Sequence, residues 1–187
     1  MTNELQGFLK YYLPNEDLAP FLACFQASRI KRGRHLLKPG QNCHFLAFIQ
    51  QGCFRVYYFD RDDKEIITWF SFEEMIITDM LGFYTTGIAK FYVEALEDSI
   101  IYKITQQDLD YLYKGHPGYI NFGRKLAEES LTMLMDRTLS LHTKSAEERY
   151  KELLTQPDFM QKIPLKYLAS YLGITDTSLS RIRKNIR

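Results

Sequence analysis

The sequence predicts an α+β protein: an N-terminal β jelly roll, a long dimerisation helix, and a C-terminal all-α helix-turn-helix with a minimal wing. Three observations carry this prediction. Residues 28–104 consist of short aromatic and β-branched runs separated by turn residues. Residues 118–142 follow an almost uninterrupted helical pattern. The last 24 residues pair an apolar helix with a basic one across a single glycine.

The jelly roll is predicted from its strands and from two helices that precede them. Apolar residues at helical spacing indicate short helices at residues 5–12 and 16–24, separated by Pro14. After the strands, Thr105 and Asp108 open a further short helix with a capping-box pattern. We therefore expect one domain over residues 1–115. The expected strands are 45–49, 53–59, 65–70, 91–96 and 99–104, after a basic segment at 29–40.

The long helix, in a predicted domain of residues 116–143, has apolar residues on two faces. One face carries Phe122, Leu126 and Met133, and the other forms a seam with spacings of mostly three and four residues. We expect one face to pack on the jelly roll and the other against a second copy of the helix. A single core helix with one broad apolar face is the alternative. The seam consists of Ile120, Ala127, Leu131, Leu134, Thr138 and Leu141.

The C-terminal segment, in a predicted domain of residues 144–187, has the pattern of two helices joined by a tight turn. Pro164 suits the first turn of one helix, and Gly173 stands where a helix end commonly requires a positive φ. Thr175 is placed to cap the second helix, in which Leu179 begins an apolar stripe. Together these features predict a helix-turn-helix. A helical hairpin with a solvated basic end is the alternative.

The polar face of the second helix predicts contacts with DNA. Arg181 is placed for a bidentate contact with a guanine edge, and the short side chains of Thr177 and Ser178 are placed to assist it. The basic residues that follow are placed for phosphate contacts, which set affinity and register. The full predicted set is Thr175, Asp176, Thr177, Ser178, Ser180, Arg181, Arg183, Lys184 and Arg187.

The charge of the chain is distributed unevenly between its two ends. The 24 Lys and Arg residues nearly balance the 23 Asp and Glu residues, which gives a formal net charge of +1. Residues 144–187, however, contain nine basic and five acidic residues, whereas the residues before them contain 15 and 18. A uniformly basic coat is excluded, but a basic patch at the C-terminus is predicted.

With these elements in this order, the chain resembles the Crp/Fnr family of bacterial transcription regulators over residues 5–187. The segments that carry the resemblance are Leu-Leu-Lys-Pro-Gly at 36–40, Gln-Gly-Cys-Phe-Arg-Val at 51–56 and Ser-Leu-Ser-Arg-Ile at 178–182. It implies a cyclic-nucleotide-binding-like β roll and a homodimer that reads a near-palindromic site with half-sites about one helical turn apart. Double-stranded DNA and a second copy of the chain are the expected partners. RNA polymerase and a small-molecule effector are further candidates.

The chain departs from the cyclic-AMP-binding members at the ligand positions. Those members use a Gly-Glu pair for the ribose and an Arg-Ser pair for the phosphate, and the corresponding positions here are 78–79 and 89–90. Asp79 and Lys90 do not reproduce the bidentate arginine that a phosphate site favours. We expect no response to cyclic AMP; an apolar effector, no effector, or plain core packing are the alternatives. The candidate effector-pocket residues are Thr78, Asp79, Met80, Lys90, Phe91 and Tyr92.

The recognition helix also departs from the family. Members often carry a Glu near its start and an Arg four residues later, whereas this chain has Thr177 and Arg181. The loss of an acceptor for cytosine changes the preferred site, so the operator of other members is not carried over. Residues 159–163 provide at most one small strand, which leaves a minimal wing.

No cofactor or metal is predicted. Oxygen-sensing members hold an iron–sulfur cluster, but three cysteines, Cys24, Cys43 and Cys53, cannot supply four thiolates. Their odd number and irregular spacing favour a reducing cytoplasm. The chain shows no apolar run of the roughly 20 residues that a membrane span needs and no secretory signal. None of the histidines is assigned as a haem ligand: His35, His44, His116 and His142.

Two other classes of function are weighed against DNA binding. One is a ligand- or protein-binding adaptor with a β roll and no specific DNA site. The other is a cupin-type enzyme, whose metal site needs a His-x-His pair with a nearby carboxylate. The chain contains no His-x-His pair, so we predict no catalytic residue and no enzyme.

Overall fold

The computed structural model describes residues 2–186, and its first part is a β roll with short helices at its edges. Eight strands lie within these residues and form two four-stranded sheets, ordered β1-β8-β3-β6 and β2-β7-β4-β5. The predicted α+β class with a jelly roll is confirmed. The strands are β1 (Gln26–Ile30), β2 (His35–Leu37), β3 (Phe45–Gln51), β4 (Phe54–Phe59), β5 (Glu65–Ser71), β6 (Ile76–Ile77), β7 (Tyr92–Ala95) and β8 (Ser99–Thr105).

Nine α-helices lie within the described residues, and most of them begin where local signals predict. Thr105 and Asp108 form the predicted capping box at the start of α4, and Ser145 and Glu148 form another at the start of α6. A 3₁₀ turn at Pro117–Tyr119 precedes α5. The helices are α1 (Asn3–Tyr12), α2 (Ala19–Cys24), α3 (Met80–Tyr84), α4 (Gln106–Gly115), α5 (Ile120–Thr143), α6 (Ala146–Leu154), α7 (Pro157–Lys162), α8 (Leu165–Leu172) and α9 (Asp176–Ile186).

Helix α2 begins later than the sequence predicts, and helix α7 lies where the sequence allowed a strand. Helix α2 begins at Ala19 instead of residue 16, because the Asp17 carboxylate accepts a hydrogen bond from the Ala19 N–H at 3.0 Å and Pro20 occupies the first turn. Residues 157–162 form α7 where the sequence allowed one small strand, and Pro157 again lies in the first turn. Proline therefore begins these helices and does not break them.

The start of α5 is anchored in an aromatic core. Phe122 is fully buried, and its ring centroid lies 5.4 Å from that of Tyr12 and 5.2 Å from that of Phe21. Phe8 of α1 packs on Phe48 of β3 with ring centroids 5.0 Å apart. Leu126, one turn after Phe122, is also buried. One of the two apolar faces of α5 therefore packs against this core.

The chain divides into two compact units. The first comprises the residues up to Val56 together with Phe70–Ser130, and the second comprises Tyr57–Trp69 together with the residues from Leu131 onwards. The division falls inside α5 and inside the β4–β5 hairpin, so both elements contribute to both units. The three domain ranges from the sequence stay predictions. Within residues 2–186, no helix has the length and apolar composition needed to cross a membrane.

Candidate nucleic-acid interface

Helix α8 ends in a glycine turn that reverses the chain. Gly173 adopts φ +72° and ψ 28°, the left-handed conformation predicted for this position. The Gly173 N–H donates to the Ser170 carbonyl and the Ile174 N–H to the Ala169 carbonyl, each at 3.0 Å. A β-carbon at Gly173 would meet only a Leu141 methyl at 4.0 Å, so backbone conformation and not space favours glycine here.

Helix α9 begins directly after Thr175, the residue that the sequence predicts as its cap. Thr175 Oγ1 accepts a hydrogen bond from the Ser178 N–H at 3.2 Å. The hydroxyl groups of Thr177 and Ser178 lie 2.9 and 3.0 Å from the same oxygen. Leu179 is buried, which holds the apolar side of α9 against the rest of the second unit. The start of α9 therefore presents a cluster of three hydroxyl groups.

The remaining predicted DNA contacts line the outer face of α9. The side chains of Asp176, Thr177, Ser180, Arg181 and Lys184 are exposed, and Ser178 and Arg183 are half-buried. Among residues 2–186, no carboxylate pairs with Arg181, Arg183 or Lys184. Arg187 lies outside the described residues. The structure thus brings the described members of the predicted set onto one helix, with the basic residues in its second half.

Two arginines that the sequence does not predict as functional support the end of α8: Arg137, which is half-buried, and Arg149, which is buried. Arg137 of α5 donates from Nη2 to the Tyr171 carbonyl, and its guanidinium lies over the Tyr171 ring at 3.7 Å. Arg149 of α6, only 9% exposed, donates from Nη2 to the Leu172 carbonyl at 2.8 Å. Burial lowers the pKa of the Arg137 guanidinium, and the Tyr171 side chain partly offsets this effect. Neither arginine lies in a periodic or capping pattern that would mark it in the sequence.

Helix α8 also binds the edge of a strand in the second unit. Ser170 Oγ accepts from the Ile67 N–H at 3.0 Å and donates to the Glu65 carbonyl at 3.1 Å. A single hydroxyl group thus joins two main-chain groups of β5, as a neighbouring strand would. This contact holds the face of α8 that carries Ser170 against β5.

The seam on α5 is apolar and largely exposed in the single chain. Leu131 and Leu134 are 58% and 59% exposed, and Ile120 is 51% exposed. Thr138 and Leu141 are exposed as well, and Ala127 is half-buried. Met135 and Leu139, which the seam did not include, add to the same exposed surface at 63% and 60%. Met133, placed on the opposite stripe, is 41% exposed and so does not share the burial of Phe122.

The candidate effector-pocket residues meet, but their polar groups serve the main chain. Asp79, 1% exposed, accepts at Oδ1 from the Gly82 N–H and at Oδ2 from the Phe91 N–H, each at 3.0 Å. The Lys90 N–H donates to the same Oδ2. Thr78 Oγ1 donates to the Phe45 carbonyl at 2.9 Å.

The other four members of the predicted effector pocket are less buried than Asp79. Met80 and Phe91 are half-buried, and the Lys90 side chain is exposed. Tyr92, also half-buried, packs its ring edge-on to His35 with centroids 5.6 Å apart. The predicted set is therefore a continuous patch whose carboxylate already accepts three main-chain hydrogen bonds.

None of the three cysteines, all of which lie within residues 2–186, forms a disulfide. Cys43 and Cys53 are buried and Cys24 is half-buried. Burial raises the pKa of the Cys43 thiol, which lies 3.3 Å from Thr78 Oγ1. Over residues 2–186, no three His, Cys, Asp or Glu side chains come together as a metal site.

Known proteins share both the β roll and the order of the elements. The domain family "Cyclic nucleotide-binding domain" matches residues 27–116. The fumarate and nitrate reduction regulatory protein of Salmonella typhi is 26% identical over 167 residues, which are 82% of this chain and 65% of that protein. FixK2 from Bradyrhizobium japonicum superposes with a TM-score of 0.76 at 16% identity, over 87% of this chain and 84% of that one. A regulator assigned to the crp/fnr family from Eubacterium rectale superposes with a TM-score of 0.72 at 16% identity, over 92% and 84%.

The chain has the fold of Crp/Fnr regulators and contains a match to the cyclic nucleotide-binding domain. The resemblance seen in the sequence is thereby confirmed. The names of the Salmonella typhi and Eubacterium rectale proteins describe regulators. The chain spans about 65% of the length of the Salmonella typhi relative. The shared fold accounts for the β roll, the long helix and the C-terminal helices in one chain.

Proposed function

We propose that this chain is a sequence-specific DNA-binding transcription regulator that acts as a homodimer and is not an enzyme. The observation that carries the proposal is the α8–turn–α9 unit. It has a left-handed glycine at the turn, a capped second helix, and basic side chains on the outer face of that helix. In this motif the second helix enters the major groove with its N-terminal residues at the bases.

The residues of α9 divide into two roles in this proposal. Arg181 reads a base edge in the major groove, with Thr177 and Ser178 beside it. Arg183 and Lys184 contact phosphates, as does Arg187 beyond the described residues. Thr175 orients the start of the helix through its cap. Asp176 and Ser180, which are also exposed on α9, are the remaining residues of the proposed DNA-contacting surface.

The homodimer is proposed from α5. Its exposed seam from Leu131 to Leu141 is the second apolar face, and a second copy of α5 is a partner with a matching surface. Two α9 helices related by a twofold axis then read a near-palindromic site.

The effector is proposed not to be cyclic AMP. The Asp79 carboxylate already occupies the N–H groups of Gly82, Lys90 and Phe91, and the exposed Lys90 offers a point charge in place of a bidentate arginine. Micromolar binding of cyclic AMP in calorimetry would contradict this. RNA polymerase and another small molecule remain candidate partners.

The salt dependence of DNA binding tests the proposed function. We expect wild-type protein to bind random duplex DNA at about 50 mM salt, with an affinity that falls steeply as salt rises because counterions are released. Lys184→Ala is expected to reduce the slope of log K against log salt by about one. The control is Arg124→Gln on α5, whose exposed side chain pairs with Glu128, and it should leave the slope unchanged. A wild-type protein that binds no DNA at any salt concentration would favour the adaptor alternative instead.

A further inference from the structure

The last turn of α8 has a complete set of hydrogen-bond donors. Carbonyl groups at a helix C-terminus lack partners within the helix. Here Ala169 and Ser170 receive theirs from the turn itself, through the N–H groups of Ile174 and Gly173. The next two carbonyls, of Tyr171 and Leu172, receive theirs from Arg137 and Arg149 respectively. The two arginines therefore donate hydrogen bonds to the two carbonyl groups that the turn itself leaves without a donor.

Arg149 connects this turn to the end of a second helix. Its Nη1 donates to the Lys144 carbonyl and lies 3.5 Å from the Leu141 carbonyl, both at the C-terminal end of α5. Its Nη2 donates to Leu172 at the C-terminal end of α8. A planar guanidinium spans two such acceptor groups at once, whereas a lysine ammonium is a single point charge. Positive charge is also favourable at both helix C-termini.

Arg137 reaches the same turn from the side of α5. It combines a hydrogen bond to the Tyr171 carbonyl with stacking over the Tyr171 ring, and Tyr171 packs on Phe159 of α7 with ring centroids 5.6 Å apart. Both guanidinium groups thus bind main-chain carbonyls inside the second unit, and that of Arg137 also stacks on an aromatic ring. They differ in this from Arg181, which is exposed on α9.

We propose that Arg137 and Arg149 are positioning residues that fix the direction of α9 by holding the Tyr171 and Leu172 carbonyls at the end of α8. The inference rests on the proposed DNA-binding function and adds to it a distinction among the basic residues of the second unit. Arg181, Arg183 and Lys184 touch DNA, whereas Arg137 and Arg149 determine whether Arg181 reaches the bases. Base contacts need a fixed helix direction, but phosphate contacts to random DNA tolerate a looser one.

The test compares a specific site with random duplex DNA for Arg137→Gln and Arg149→Lys. The specific site is one selected with wild-type protein from a random pool. We expect both variants to weaken specific binding about tenfold, the loss of roughly one base contact, with little change on random DNA and an unchanged salt slope. In hydrogen exchange of the free protein, the amides of Gly173 and Ile174 should exchange faster in both variants.

Matched controls separate positioning from other roles. Arg124→Gln changes the same residue type on the same helix and should leave the ratio of specific to random affinity at the wild-type value. Lys184→Gln should weaken both DNAs and reduce the salt slope by about one.

Several results would overturn the inference. If Arg137→Gln behaved like Lys184→Gln, the arginine would be a phosphate contact. If it lowered only the fraction of active protein, with the ratio and the exchange rates unchanged, it would serve folding alone. If wild-type protein bound neither DNA, the proposed function itself would fail, which is a different outcome from an unchanged ratio.

Discussion

At Asp79, three main-chain N–H groups converge on one buried carboxylate. Gly82 donates from the first turn of α3, and Lys90 and Phe91 donate from the segment before β7. The carboxylate therefore joins the first turn of α3 to the segment before β7. The residue that the sequence assigns to a candidate effector pocket thus has a structural role in the β roll.

Asp79→Ala is expected to destabilise the protein by about 3 kcal/mol, because each buried donor left without an acceptor costs about 1–3 kcal/mol. Urea denaturation measures this change. Asp62→Ala, an exposed aspartate at the tip of the β4–β5 hairpin, is the matched control and should change stability by no more than about 0.5 kcal/mol. Equal stability of the two variants would show that the three hydrogen bonds contribute little.

Single residues were predictable where their role depends on sequence neighbours. Gly173 and Thr175 follow from the order of apolar, small and hydroxyl residues around them, and the structure confirms the turn and the cap. Arg137 and Arg149 were not predictable, because a basic residue on a helix is usually solvated and the α8 carbonyls that they bind are 34 and 23 residues away. No local pattern encodes such a distance.

Among whole elements, helix α5 could be predicted from the sequence, whereas some shorter elements could not. Its length and its two apolar faces follow from periodicity, and the structure buries Phe122 and Leu126 while leaving the seam exposed. Helix α7 did not follow, because the sequence was expected to provide at most one small strand at residues 159–163, whereas Pro157 lies in the first turn of a helix. The short elements β6 and α3 were also missed, since two and five residues are too few to show a period.

Leu131→Glu combined with Leu134→Glu is expected to convert the dimer into a folded monomer with little specific DNA binding. Both side chains are more than half exposed in the single chain, so the charges should cost the fold little, whereas they would face each other in a dimer seam. Sedimentation equilibrium measures the mass and circular dichroism the helix content.

The matched control for the seam is Tyr111→Glu. Tyr111 is 75% exposed on α4, outside the seam, and this variant should remain a dimer. A dimer that persists in the double variant would remove the seam from the account.

At the scale of the whole molecule, the excess of basic residues lies in the C-terminal part of the second unit. The net charge of +1 conceals an excess of basic residues after residue 143. Three of these basic residues, Arg181, Arg183 and Lys184, lie on α9, while Arg149 is buried beneath the turn. Fewer of these basic residues are therefore available to contact DNA than the charge count suggests, because Arg149 instead holds the helix pair together.

The central claim, that α9 reads DNA in a symmetric pair, is tested most directly by selecting bound sequences from a random double-stranded DNA pool. The account predicts a near-palindromic site with half-sites about 10 base pairs apart, centre to centre. It also predicts that Arg181→Ala loses preference at one position of each half-site. A pool that is not enriched after repeated selection with wild-type protein, or one enriched for a single asymmetric element, would contradict it.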